Sequence, residues 1–457
     1  MEFLQTLFGW IGDFTWGWSL IPILVIFGIF ITIATGFVQI EYFGRMFRVL
    51  SNKNNADDSN QISAREALLV SVGGRVGGGN IAGVAVAITA GGPGAVFWMW
   101  AIALVGMATS LVECSLAQLF KRKVGEHSYR GGPAAAIIHG LGKEYRWLAV
   151  IYAICLIAAF GLGFNAFQGN TVAGSMQDSF GIDRLWTGIA LAAISGFIIF
   201  GGIHRIAKVS DVVVPIMAIG YLAMALIVIL LNITSLPGVI YDIVTNAFGL
   251  QEAVGGGMGA AVAQGLRRGL FSNEAGLGIT QSFSVFIDTI IICSCTAFVI
   301  LLGDVYVPGA EGIDGVALTQ QSMVSHLGTW VQYFLSGAIL LFSFSSIIYN
   351  YYLGENAMTV LTKSPLGILG LRIAIIAIVF LGATAPAATA VFFFSDPMMG
   401  ILALVNLLAI MMLFPVAMRL LRDFRRQLKA GVERPVLNPD DYADLDIDRD
   451  AWKLPAE

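Results

Sequence analysis

The sequence predicts an all-α integral membrane protein with about 11 transmembrane helices, and three observations carry that prediction. First, 57% of its 457 residues are hydrophobic and only 12% are charged, whereas a soluble domain carries roughly 25% charge. Second, mainly apolar runs of about 20 residues, the length that crosses a bilayer, recur from residue 19 to residue 418. Third, glycine and polar residues interrupt two of those runs, at Val72 to Asn80 and at Gly265 to Gly276. Irregular backbone survives at membrane depth only where protein or a water-filled cavity surrounds it. Paired interruptions, one in each half of a long hydrophobic chain, point to a transporter's binding site.

The first span lies near 19–39. No Lys or Arg occurs from Met1 to Trp18, unlike the basic start of a cleaved signal peptide, so this span is expected to stay. The first broken helix covers about 66–90, and uninterrupted spans follow near 95–120, 146–172, 185–203 and 209–232. A second broken helix covers about 252–280, followed by spans near 283–303, 328–352, 369–386 and 391–418. From Arg419 onward the chain turns polar and acidic, with Asp440, Asp441, Asp444, Asp446, Asp448 and Asp450, and reads as a solvated tail. The expected organisation is therefore one transmembrane domain over 1–420 and a polar cytoplasmic tail over 421–457.

Loops rich in Lys and Arg tend to stay cytoplasmic. Such residues follow the first span (Arg45, Arg48, Lys53), the third (Lys121, Arg122, Lys123, Arg130), the fifth (Arg205, Lys208) and the ninth (Lys363, Arg372). The tail adds Arg419, Arg422, Arg425, Arg426 and Lys429, while alternate loops are poor in basic charge. This pattern puts the N-terminus outside and the C-terminus in the cytoplasm of a cell (inner) membrane, with an odd number of spans. Setting the first span aside leaves ten. The broken helices then open two sets of five, repeat one over 66–232 and repeat two over 252–418. Because five is odd, the second set is inverted relative to the first, and the site falls where the breaks meet near mid-membrane. A single small-residue cluster would instead be read as close helix packing.

Other function classes fit poorly. No basic face suits a nucleic acid. Cys114, Cys155, Cys293 and Cys295 lie in apolar segments without disulfide or zinc spacing and read as packing residues. His127, His139, His204 and His326 lack ligand spacing with Cys, Asp or Glu, and no nucleophile and base pair stands out, so no enzyme is expected. The glycine cluster lacks the Gly-Lys-Ser/Thr ending of a phosphate loop, and no cofactor is expected. An ion channel is the better rival, since carbonyls also line ion sites; yet filters are usually rings of identical loops.

An unwound helix exposes amide N–H groups where one half-helix begins and carbonyls where the other ends. The first suit a carboxylate and the second a small cation. Gly77, Gly78 and Gly79 remove side chains that would block that approach. Asn80 and Asn273 add neutral amides. Glu113, Arg75, Arg267, Arg268 and Glu274 lie inside or beside spans and are functional candidates by the cost of burying charge in lipid. They read as gating or structural ion pairs, with a proton-relay role as the alternative.

Gly-x-Gly-Asn-Ile-Ala-Gly-Val-Ala at 77–85 and Arg-Gly-Leu-Phe-Ser-Asn-Glu-Ala-Gly at 268–276 closely resemble the alanine or glycine:cation (sodium) symporter family. Gly91 to Trp100, Gly131-Gly-Pro133 and Gly202 to Lys208 are similar to it too, so the likeness runs to about residue 420. The resemblance implies a leucine-transporter-like 5+5 inverted repeat preceded by one extra N-terminal helix. It implies sodium-coupled import of small neutral amino acids, alanine and glycine first, by alternating access, with proton coupling as the alternative. The partners are then the amino acid, sodium and the lipid bilayer. The resemblance further implies a substrate site of Gly77, Gly78, Gly79, Asn80, Gln168, Phe271, Ser272, Asn273 and Phe392, and sodium held by Gly74, Val76, Gly77, Ser345 and Ser346. By the residues alone, Gln168 also reads as helix–helix glue, and the Ser345–Ser346 pair as hydroxyls bonded to their own backbone.

Three departures from the family pattern matter. Gly78 stands where Thr or Ser is usual, and Val391-Phe392-Phe393-Phe394 where a tryptophan is common. Both departures predict a roomier pocket and bring in glutamine as a substrate. The junction at 278–282 is also short by roughly two dozen residues against the family pattern, which leaves the contacts of that half-helix open.

Overall fold

The computed structural model describes residues 2–45, 48, 72, 75–124, 129–201, 203–248, 283–308, 315–385, 389–433 and 435–452. The second broken helix, with Phe271, Ser272 and Asn273, lies outside the described residues, as do Gly74, Arg267, Arg268, Glu274 and the 278–282 junction.

Helices dominate. They are α1 (Thr6–Ala34), α2 (Gly79–Gly91), α3 (Gly94–Leu119) and α4 (Lys143–Phe180). Then come α5 (Arg184–Ile199), α6 (Ile203–Leu231) and α7 (Leu236–Ala247). The second half holds α8 (Phe283–Leu301), α9 (Gly315–Leu327), α10 (Trp330–Leu361), α11 (Pro365–Thr384) and α12 (Thr389–Lys429). A two-residue antiparallel hairpin, β1 (Arg122–Lys123) with β2 (Tyr129–Arg130), follows α3. Seven described helices are long and apolar enough to cross a membrane, or eight if α6 and α7 make one span bent by 102°. The chain is thus an all-helical membrane protein.

Apolar runs fix most helix positions and glycine and proline fix their ends. Gly92, at φ +70°, turns α2 into α3, and Pro93 opens the new helix. Pro365 stands in the first turn of α11 and Pro237 in that of α7. Helix α6 carries Ile216, Ile219 and Leu230 on an exposed face, and α1 likewise exposes Ile26 and Ile33. Large apolar side chains pointing outward match a hydrocarbon solvent, in which helices associate by close packing rather than by escaping water.

Two packed clusters result. In one, the second half of α4 (Asn165–Phe180) lies against α10 and α11, with α6 and α8 completing it. In the other, α1, α3, the first half of α4 and α12 converge. Helices α7 and α9 differ from expectation, since 236–247 and 315–327 fall between the spans read from the sequence. At 12 and 13 residues they are too short to register as spans.

The tail also differs from the solvated terminus expected of it. Its carboxylates do face water, but Tyr442 is 1% exposed and Ala451 is buried. Asp446 pairs with Arg122 and His139, both at 2.7 Å. Lys121 Nζ sits 4.1 Å from the centre of the Trp452 ring, whose Nε1 donates to the Leu119 carbonyl. The tail therefore folds back onto the loop after α3. The charge content was legible; the anchoring role of two aromatic side chains was not.

Candidate functional site

Val72 and Arg75 are helical, Val76 and Gly77 form a bend, and helix resumes at Gly78. The break falls within the glycine-rich run because two neighbours come too close for a side chain. A methyl group on Gly77 would collide with Ser346 Oγ, and one on Gly78 would sit 2.8 Å from Gln168 Oε1. Beyond the bend the chain makes a wide π-helical turn over Gly79–Gly83, a device often found at functional sites.

The first amides of α2 are satisfied by side chains. Gly77 N–H donates to Asn80 Oδ1 at 3.0 Å, and Gly78 N–H donates to Gln168 Oε1 at 3.2 Å. Asn80 N–H in turn donates to the Gly77 carbonyl at 3.1 Å, a reciprocal arrangement like a helix cap. Thr319, on α9, donates its hydroxyl to the Ile81 carbonyl, within the π turn. Two amides aimed at side-chain oxygens define a place where a carboxylate oxygen would be accepted equally well.

Gln168 comes from α4 just past a second π-helical segment, Ile157–Phe164. Helix α10 brings hydroxyls from the other side. Ser343 and Ser346, three residues apart, share the face towards the break: Ser346 Oγ lies against Gly77, and Ser343 Oγ is 3.4 Å from where a Gly78 methyl would be. Ser343 is fully buried and its hydroxyl has no hydrogen-bond partner among the described residues. Ser345 is turned away; it donates to the Phe342 carbonyl and neighbours Met217 Sδ at 3.9 Å. The structure thus gathers Gly77, Gly78, Asn80, Gln168, Val76 and Ser346 around one break, adds Ser343, and sets Ser345 on another face. Gly79 is half-buried, with no described atom within 4 Å of where its methyl would be. Phe392 stands within α12.

Besides Ser343, the roles of two residues at the site escaped the sequence reading. Asp288, on α8, is 3% exposed and accepts a hydrogen bond from Asn80 Nδ2. The same Nδ2 lies 3.3 Å from Cys293 Sγ, so this cysteine is more than a packing residue. Both lie on a third π-helical turn, Phe286–Cys293, packed against the one that holds Asn80. The signal was available, for Asp288 is an acid inside the apolar run Phe283 to Leu301. Arg75 and Glu113 are buried as expected, and Arg75 Nη1 donates to Ser284 at 2.6 Å.

A family model described as the sodium:alanine symporter family matches residues 1–439. Among curated proteins the chain is similar to the "Probable sodium/glutamine symporter GlnT" of Bacillus subtilis (strain 168), with 42% identity over 96% of this chain and 94% of the relative. It is 43% identical to the "Amino-acid carrier protein AlsT" of the same organism, covering 94% of each. It is 33% identical to the "Sodium/alanine symporter AgcS" of Methanococcus maripaludis, over 90% of this chain and 95% of that one. With the broken helix, these likenesses make the chain a transporter rather than an enzyme, and it belongs to the sodium:alanine symporter family.

Proposed function

We propose that the protein is a sodium-coupled symporter that imports small neutral amino acids, alanine, glycine and glutamine, by alternating access. The observation that carries this reading is the pair of amides at Gly77 and Gly78, both directed at side-chain oxygens in the buried break. An amino-acid carboxylate would take the place of those oxygens. Its ammonium group would then find Gln168 and Asn80 as acceptors. Sodium would sit between the carbonyls of Val76 and Gly77 and the hydroxyls of Ser343 and Ser346, joining α2 to α10. The names of the relatives, one for sodium and glutamine and one for sodium and alanine, support the cargo and the coupling ion.

The second break, with Phe271, Ser272 and Asn273, would close the pocket from the opposite repeat, and Phe392 would border it. The arrangement we favour is eleven spans in a cell membrane, an extra first helix followed by inverted repeats at 66–232 and 252–418. The N-terminus would be outside and the C-terminus cytoplasmic. Rocking of one group of helices against the other would expose the site to each side in turn. Purified protein in vesicles tests this reading. An inward sodium gradient should drive saturable accumulation of labelled alanine and glutamine. Accumulation driven by a proton gradient without sodium, or a current that needs no amino acid, would overturn it.

A further inference from the structure

Three apolar runs end around one cavity. Helix α1 stops at Ala34 and α3 at Leu119, just before Lys121, Arg122 and Lys123, and the apolar part of α12 gives way at Arg419. With the returning tail they enclose about 240 Å³. Leu111, Val112, Leu421, Val436 and Leu437 supply apolar wall. The hydroxyls at the cavity are turned back onto their own helices: Thr35 Oγ1 donates to the Ile31 carbonyl and Ser115 Oγ to the Leu111 carbonyl, both at 2.7 Å. Asp423, the one acid among the described lining residues, is held by Arg426 and Gln427. Apolar cavities stay dry and take apolar guests; one of roughly 150 Å³ binds benzene. Beside the cavity the chain turns through Gly36 and Phe37, both at positive φ, into the short helix Val38–Glu41. Val38 faces inward, whereas Phe37 and Ile40 are exposed. Exposed apolar side chains next to basic ones mark the boundary between acyl chains and headgroups.

Guanidinium groups edge the same cavity. Arg425 Nη2 donates to the Thr35 carbonyl at 2.6 Å, and Arg45 lies 5.7 Å from the centre of the Phe424 ring. Thr35 and Phe424 both line the cavity. Arg422, exposed, stands on the same stretch of α12. Arg425 pairs with Glu41, whose side chain is 43% exposed, so that pair contributes little and is open to replacement. Basic clusters at the end of a spanning helix attract anionic lipid headgroups. We infer that this cavity holds one acyl chain of an anionic phospholipid, with Arg425 and Arg45 receiving its phosphate. Arginine suits that role because its fork meets phosphate oxygens in paired hydrogen bonds. Val436, Leu437 and Trp452 close the cavity from the tail side, so the lipid would fasten the tail to the end of α1. The site is separate from the broken helix and does not depend on which cargo is carried.

Trp452 reports on the cavity that it lines. The full chain is placed in phosphatidylcholine vesicles with graded amounts of phosphatidylglycerol or phosphatidylcholine brominated in the acyl chains, since bromine quenches indole emission on contact. Subtracting the emission of Trp452→Phe isolates the signal of that side chain. Half-maximal quenching should need about 10-fold less brominated phosphatidylglycerol than brominated phosphatidylcholine, and Arg45→Gln combined with Arg425→Gln should remove the preference. Ala417→Phe fills the cavity from α12 and should abolish quenching of Trp452 by both lipids, while residues 435–452 keep their protection from hydrogen exchange. Ser115→Leu makes the same test from α3 if the first variant fails to fold. Equal quenching by the two lipids, or none by either, overturns the inference. Quenching that survives a filled cavity overturns it as well, and assigns the signal to lipid lying around the protein.

Discussion

Asn80 and Gln168 each hold one amide of the broken helix, and neither can be shortened without stranding a buried donor. A hydrogen bond to a charged group contributes about 1.5–3 kcal/mol, so Asn80→Ala or Gln168→Ala should weaken apparent amino-acid affinity by roughly 10- to 100-fold. Uptake measured across substrate concentrations checks this, and unchanged half-saturation would count against both roles. Gly78→Thr should push Gln168 Oε1 off the Gly78 amide, since even a methyl there sits 2.8 Å from that oxygen. The variant is expected to lose glutamine as a competitor of alanine uptake while alanine itself is retained. Gln168 was legible as a polar residue in an apolar run. The choice among three nearby serines was not, because facing depends on the rotation of α10, which composition does not reveal.

At the level of elements, α10 makes a sharp prediction. Replacing Ser343 and Ser346 together with Ala should raise the sodium concentration for half-maximal uptake by about 30-fold, the loss of two hydroxyl ligands at roughly 1 kcal/mol each. Replacing Ser345 alone should leave it unchanged, since that hydroxyl is directed to Phe342 and Met217. A sodium titration of both variants separates the two faces. The long helices were legible from hydropathy alone because lipid permits few alternatives. The π-helical turns were not, since a turn one residue wider leaves no mark on apolar periodicity, yet three of them position Asn80, Gln168 and Asp288. Asp288 escaped for a plainer reason: one acid does not spoil a span that is otherwise apolar.

Over the whole molecule, the tail fastens the end of α12 to the loop after α3. Arg122 first, and then His139, hold the Asp446 carboxyl below its usual range. A depressed folded-state value means that its contribution to docking is complete above the ordinary carboxylate pKa of about 4 and fades as pH falls through the lowered value. Protection of residues 435–452 from hydrogen exchange, taken relative to the intrinsic exchange rate at each pH, should therefore be steady between pH 8 and pH 5 and fall below about pH 4. Trp452→Ala should lower that protection at every pH, and by more than Asp446→Asn does, because exposed ion pairs contribute little. At this scale the positions of most spans were readable in advance, whereas the return of the tail depended on contacts between residues more than 300 apart.

A carrier that has delivered its cargo must still travel back. Here the amides of Gly77 and Gly78 left behind are already matched by Asn80 and Gln168, so neither is an orphaned dipole that would lock the emptied site in place. Return without cargo is then inexpensive, and the protein should work as a one-way pump for nutrients rather than a turnstile that trades one molecule for another. Preloaded vesicles should drain into amino-acid-free buffer about as fast as they swap label.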